Sequence, residues 1–277
     1  MKIALFTDSF GIEQFEGSKI LTSGYIKCLV AAYNRPHGHG ALKEYSKTNS
    51  LSFLVQPKFS SPEYTEFLGE LKKLGIDHII SNSYSMIIRP DVLEIVGSRA
   101  INIHWSLLPK NRGPNPIQWT LIKGEREIAV TVHQISNGID EGPIVYQSPL
   151  QITDEDTWVS LMDKLKLLSN KIIRNDIQTH LQNIDHAIPQ DHSKASVNSR
   201  LSAESPQINF EKMSDLEIFN LIRAQVEPLN GAYCLIDETE IRFPTYINQN
   251  EIKLLRRAYE KKDLDTLKAE FNGRTKT

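Results

Sequence analysis

Short apolar runs recur along the chain at residues 3–6, 26–32, 52–55, 78–81, 100–104, 128–135 and 144–148, several of them ending in small or polar residues. Such a run is the pattern of a strand buried on both faces whose carboxyl end opens into a loop. Between several runs lie stretches with apolar residues at helical spacing. The clearest starts at Ser61-Pro62-Glu63 and continues through Tyr64, Phe67, Leu68, Leu71 and Leu74 to Gly75. It combines a capping residue, a proline in the first turn and a closing glycine. Strands alternating with helices over residues 1–120 predict an α/β fold: a mostly parallel, Rossmann-like sheet with helices on both faces, which binds ligands at the carboxyl ends of its strands.

Further along, Trp158, Leu161, Met162, Leu165, Leu168, Ile172 and Ile173 predict one long helix over 154–181, packing a core stripe. From 182 to 205 the chain turns polar, with Pro189, His192, Ser196 and Ser199, as a linker crossing a surface would. Beyond it, Met213-Ser214-Asp215 can open a helix, and 232–236 can pair with 240–243 across Asp237-Glu238-Thr239 as a hairpin. The expected organisation is an N-terminal catalytic domain over 1–185, a linker over 186–204 and a small α+β appendage over 205–277.

Composition narrows the class. With 40% hydrophobic and 24% charged residues, the 277-residue chain is an ordinary globular protein. A formal net charge of −2 supplies no global basic field to draw it to nucleic acid or an anionic membrane. The apolar run at 3–6 is too short for a signal-peptide core or a membrane span, so the expectation is a cytoplasmic protein. Cys28 and Cys234, each among apolar neighbours, read as buried free thiols.

The chemistry concentrates in Ala100-Ile101-Asn102-Ile103-His104-Trp105-Ser106-Leu107-Leu108-Pro109. Side chains two apart in a strand share a face, so Asn102 and His104 point together while Ile101 and Ile103 face the opposite layer. Taken alone, this polar pair fits local backbone satisfaction as well as catalysis. His37 and His39, between Arg35-Pro36 and Gly40, lack a third ligand at a recognised spacing and read as part of a flexible loop, so no metal is expected. His133 is expected to pack or bond locally.

The longer context decides between the readings. Asn102-x-His104-x-Ser106-Leu107-Leu108-Pro109 is followed by Arg112-Gly113, Pro116-Ile117-Gln118, Val130-Thr131-Val132-His133 and Gly138-Ile139-Asp140-Glu141-Gly142-Pro143. Together these resemble the folate-dependent formyltransferase family, strongly over 75–150, moderately over 205–243 and loosely over 1–60. The resemblance implies 10-formyltetrahydrofolate as donor, an amine as acceptor and a catalytic triad of Asn102, His104 and Asp140. It also implies folate contacts from Tyr84, Ser85, Met86, Ile87 and Ile88, and from Ser136, Asn137, Gly138 and Ile139. For Met86, Ile87 and Ile88, packing in a helix core is the competing reading. Two departures stand out. Pro114 occupies a position where some members have Arg, which puts a cofactor contact there in doubt. Thr7-Asp8-Ser9 replaces the Gly-Thr-Pro of methionyl-tRNA formyltransferases, which implies an altered acceptor.

From 205 onward eleven basic residues face twelve acidic ones, so no basic platform for tRNA is expected. Glycinamide ribonucleotide enzymes usually end soon after the catalytic domain, whereas here a further segment follows. The resemblance, which includes Ile222-Arg223-Ala224, is nearest to N-formyltransferases acting on a dTDP-, UDP- or GDP-linked aminodeoxy sugar in lipopolysaccharide O-antigen or related glycan biosynthesis. A methionyl-tRNA or small-amine formyltransferase is the alternative within the class. A deformylase using water, or an inactive relative binding folate or nucleotide sugar, is the alternative outside it. A homodimer is a possible assembly.

Overall fold

The computed structural model describes residues 1–97, 99–202, 206–267 and 269. Ser205 of the expected domain boundary, and Lys268, Glu270, Arg274 and Lys276 of the C-terminal charge count, lie outside the described residues. The strands are β1 (Ile3–Thr7), β2 (Ile26–Ala32), β3 (Ser52–Gln56), β4 (His78–Asn82), β5 (Ala100–His104), β6 (Glu127–Gln134), β7 (Ile144–Gln151), β8 (Ala232–Ile236) and β9 (Thr239–Phe243). The longer and shorter helices are α1 (Ser9–Glu13), α2 (Lys19–Thr22), α3 (His39–Thr48), α4 (Glu63–Lys73), α5 (Pro90–Val96), α6 (Pro116–Ile122), α7 (Trp158–Asn175), α8 (Ile177–Gln182), α9 (Asp215–Arg223) and α10 (Gln249–Glu260).

Seven strands form one sheet in the order β3-β2-β1-β4-β5-β6-β7. The first five pair in parallel, and β6 runs antiparallel to β5. This is the expected mostly parallel, Rossmann-like α/β sheet. Its centre is apolar on both faces: all five residues of β1 are buried. On one face Ala4, Phe6, Cys28, Val30 and Ala100 meet Phe67 and Leu71 of α4 and Val92 and Val96 of α5. The alternation places Asn102 and His104 on that same face of β5, one and two steps beyond Ala100 towards the carboxyl edge. Helix α4 forms where its pattern predicts, with Glu63 and Glu66 in the first turn, Lys72 and Lys73 in the last, and Gly75 at φ +65 beyond it.

By compactness the chain divides into two units, each assembled from separate segments: Met1–His104, Val130–Ser148 and Lys166–Lys194 in the first, and Trp105–Ala129, Pro149–Leu165 and Ala195–Thr277 in the second. The second unit has its own core, in which Phe219 and Ile222 of α9, Ile252 and Leu255 of α10, and Cys234, Ile241 and Phe243 of the β8-β9 hairpin pack together. Both cysteines are buried and free, and burial pushes each thiol up to about 12.

Three expectations need correction. The helix expected over 154–181 is two. Asp156 accepts from the Thr153 amide and hydroxyl, and Thr157 and Ser160 cap each other, so the helix starts at Trp158; Asp176 at φ −124 then ends α7 before α8. The stretch around His37 and His39 is ordered helix rather than a flexible loop: Pro36 opens a 3-10 turn over Pro36–Gly38, and His39 starts α3 with Nε2 2.9 Å from the Ala32 carbonyl. Finally, the polar stretch 182–205 does not simply cross a surface, because Gln190 and Asn198 are buried within it. No helix among the described residues is long and apolar enough to cross a membrane.

Candidate active site

The polar end of β5 is completed by β6. Antiparallel register sets His133 opposite Asn102 and Thr131 opposite His104, so four polar side chains share one patch of the sheet. The chain leaving β6 turns back through 138–142 and brings Asp140 over them, in the left-handed region at φ +50. Gly142 allows the close passage, since a Cβ there would fall on the Gln134 carbonyl oxygen. Gln190 fixes the turn from behind, its Nε2 donating to the carbonyls of Asp140 at 2.9 Å and Gly142 at 2.7 Å.

The structure therefore brings Asn102, His104 and Asp140 together. Asp140 Oδ2 lies 3.6 Å from His104 Nδ1, a close Coulombic contact longer than a hydrogen bond, and Asp140 Oδ1 accepts from Asn102 Nδ2 at 3.3 Å. His104 is 8% exposed. In this low-dielectric setting a fixed carboxylate orients the imidazole more strongly than it would in water. Sequence reasoning missed two participants. His133 does bond locally, its Nδ1 lying 2.8 Å from the Gln134 carbonyl, but its Nε2 also reaches 3.2 Å from Asn102 Nδ2 and 3.4 Å from Asp140 Oδ1. Only the pairing register of β6 on β5 could have shown this. Gln190, inside the expected linker, carried no sequence signal.

The residues expected to meet folate divide into braces and free surface. Residues 83–89 form a loop between β4 and α5 rather than a helix. Tyr84 packs edge-on against Phe6 at 5.3 Å and donates its hydroxyl to Gln56 Oε1 at 2.8 Å, while Gln56 Nε2 donates to the Ile87 carbonyl at 3.1 Å. Burial pushes the Tyr84 phenol up, so it stays a neutral donor. Ser85 donates to Asn34 Oδ1 at 2.7 Å. Ile88 sits in the core, Met86 is half-buried, and the Ile87 side chain is exposed. In the second loop, Ile139 and Asn137 are exposed, Gly138 is half-buried, and the Ser136 hydroxyl is buried with no hydrogen-bond partner.

Also at the carboxyl ends of the strands, after β1, β2 and β4, lies a cleft of about 280 Å³ lined by Asp8, Arg35, His37, His39, Ser83 and Ser85 among others. Asp8 ties its three loops together by accepting from Gly11 N at 2.9 Å, Arg35 Nη1 at 2.8 Å and Ser83 Oγ at 3.0 Å. Among the described residues no group of three His, Cys, Asp or Glu is placed to hold a metal ion.

A Rossmann-like sheet with an amide, a carboxylate and imidazoles converging at its strand ends defines an α/β protein with a polar candidate active site at that edge. Residues 19–177 match the model of the formyl transferase family. The chain belongs to this family and is a formyl-transferring enzyme. It is 32% identical over 241 residues to the methionyl-tRNA formyltransferase of Lactobacillus johnsonii, covering 84% of this chain and 74% of that one. A sugar N-formyltransferase from Shewanella sp. shares the fold at a TM-score of 0.70 and 16% identity, over 90% of this chain and 97% of the other. A sugar 3N-formyl transferase solved with dTDP and 5-N-formyl-THF superposes at a TM-score of 0.65 and 24% identity, over 87% and 84%.

Proposed function

We propose that the protein transfers the formyl group of 10-formyltetrahydrofolate to the amine of a nucleotide-linked aminodeoxy sugar. The observation that carries formyl transfer is the convergence of Asn102, His104 and Asp140 in one partly buried cluster. Attack of a neutral amine on the formyl carbon places negative charge on the carbonyl oxygen. An Asn102 N–H and a hydrogen on His104 stabilise that charge, being preorganised donors in a site largely shielded from water. Asp140 orients His104 and, through a water, takes the proton that the attacking amine sheds; the carbon–nitrogen bond to the folate then breaks and that nitrogen regains a proton. The folate would lie along the two loops, where Ile87 and Ile139 offer apolar surface for its flat ring.

The acceptor reading rests on three supports. The sugar enzymes compared above match this chain over most of both lengths. The 205–277 region has no basic excess to hold tRNA. The cleft after β1, β2 and β4, at the carboxyl ends of the same sheet, holds His37 and His39 beside the Arg35–Asp8 ion pair, a polar lining that suits a polar acceptor. Methionyl-tRNA is the second reading, favoured by the methionyl-tRNA formyltransferase that shares 32% identity with this chain.

The deciding experiment offers 10-formyltetrahydrofolate with dTDP-, UDP- and GDP-linked 3-amino and 4-amino deoxysugars, methionyl-tRNA and glycinamide ribonucleotide. One formyl mass gained by a nucleotide sugar is expected. Loss of about 10²–10³ in turnover is expected for Asn102→Ala, and a larger loss for His104→Ala or Asp140→Ala, with the fold intact. Formylation of methionyl-tRNA alone, or near-normal turnover of His104→Ala, overturns the reading.

A further inference from the structure

Under the reading above, on which this inference rests, Asn102 must give an N–H to the developing oxyanion. Yet its Nδ2 already lies 3.2 Å from His133 Nε2 and 3.3 Å from Asp140 Oδ1, and those two atoms are 3.4 Å apart. Three nearly equal sides make the acceptors subtend about 60° at Nδ2, half of the roughly 120° between the hydrogens of a planar amide. That spread lets both acceptors share one N–H in a three-centre bond, an arrangement that turns the other N–H away from both. His133 can accept at Nε2 only as the neutral tautomer with its hydrogen on Nδ1. The Gln134 carbonyl, 2.8 Å from Nδ1 and an acceptor only, selects that tautomer. Cross-strand register and near-complete burial hold the ring in place.

We propose that His133 is a positioning residue for formyl transfer: its neutral Nδ1–H tautomer, with Asp140, captures one amide hydrogen of Asn102 and aims the other at the formyl oxygen. A proton on Nε2 reverses the arrangement. The new N–H opposes the amide hydrogens of Asn102 and donates instead to Asp140 Oδ1, competing for the carboxylate that orients His104. The titratable groups facing His133 are Asp140 and His104, whose ring stands edge-on at 6.3 Å. One proton thus weakens both the aim of Asn102 and the hold on His104.

The test uses the full chain, the His133→Gln and His133→Leu variants, and two readouts. Long-range proton–nitrogen NMR of the imidazoles, recorded without substrates, is expected to show the Nδ1–H tautomer at His133. Kinetics with whichever acceptor of the panel is formylated are expected to show kcat lowered about tenfold in His133→Leu, with KM held within about twofold. In His133→Gln the amide oxygen accepts from Asn102 in place of Nε2, so most of the turnover returns. An Nε2–H tautomer overturns the proposal, as does wild-type kcat in His133→Leu or a His133→Gln turnover no higher than that of His133→Leu. If His133→Leu does not fold, the tautomer and the His133→Gln turnover still decide. Failure of the acceptor reading is separate, because it appears in the wild-type panel and leaves the tautomer measurement untouched.

Discussion

At the scale of single residues, the proposed site depends on backbone positions as much as on the side chains to which its chemistry is assigned. Asp140 reaches the cluster only because the turn at 138–142 passes close over β6, and Gln190 holds that turn by two hydrogen bonds from one amide nitrogen. Gln190→Leu removes a donor from the carbonyls of both Asp140 and Gly142. The expected cost is about 1–3 kcal/mol of stability, since each buried carbonyl loses a partner. Turnover should fall by more than unfolding alone explains, because a loosened Asp140 no longer orients His104. Urea denaturation measures the stability and kcat without denaturant, where the variant is folded, measures the turnover; unchanged kcat would separate Gln190 from the site. The parity of Asn102 and His104 was readable from the strand pattern, whereas the approach of Asp140 rested on resemblance. A sequence contains no distance between a strand end and a loop 36 residues later.

At the scale of elements, the β8-β9 hairpin shows local chemistry in conflict with geometry. Its strands pair from Ile236↔Thr239 outward, so the turn is the two residues Asp237 and Glu238, both at positive φ (45 and 69), one residue shorter than the pattern suggested. Two positive-φ residues are the signature of a type I′ turn, which Asn-Gly satisfies with far less strain than Asp-Glu. Replacing Asp237-Glu238 by Asn-Gly should raise stability by about 0.5–1 kcal/mol, read as a higher thermal midpoint. A lower midpoint would mean that the Lys262 contact to Asp237 matters more than the turn. Arg223 illustrates the opposite case. Sequence resemblance marked it as part of an Ile-Arg-Ala segment, but the structure buries it, bonded to Asn220 Oδ1 at 3.0 Å and the Thr153 carbonyl at 2.8 Å, so within its unit it acts as a structural pin.

At the scale of the whole molecule, acid sensitivity should trace partly to His180. Its ring stacks on Tyr146 at 4.4 Å, and burial lowers its pKa, with Asp176 opposing. The folded state therefore binds fewer protons than the unfolded chain as pH drops below the unfolded histidine value of about 6.5, and stability is lost there while it is fully present above. His180→Phe keeps the stacking and removes the titration. Its thermal midpoint should fall less than that of wild type between about pH 6.5 and 5. Parallel midpoint-versus-pH curves would exclude His180 as a contributor.

What the sequence determined by itself is what local periodicity can carry: the alternation of buried strands with helices, the caps and stops of α4, and the shared face of Asn102 and His104. The motif resemblance added Asp140 and the chemical class. Tertiary structure alone decided that β6 pairs antiparallel with β5, and hence that His133 joins the cluster. It also decided that Gln190, from a polar stretch with no periodicity, is buried beneath the Asp140 turn, and that residues 105–129 and 149–165 pack in the second unit with the C-terminal segment. The physical reason is common to all three. Periodicity reports which face of an element is buried, but not its partner, its register or the return path of the chain. Those follow from long-range packing, whose free energy is collective and leaves no mark at any single position.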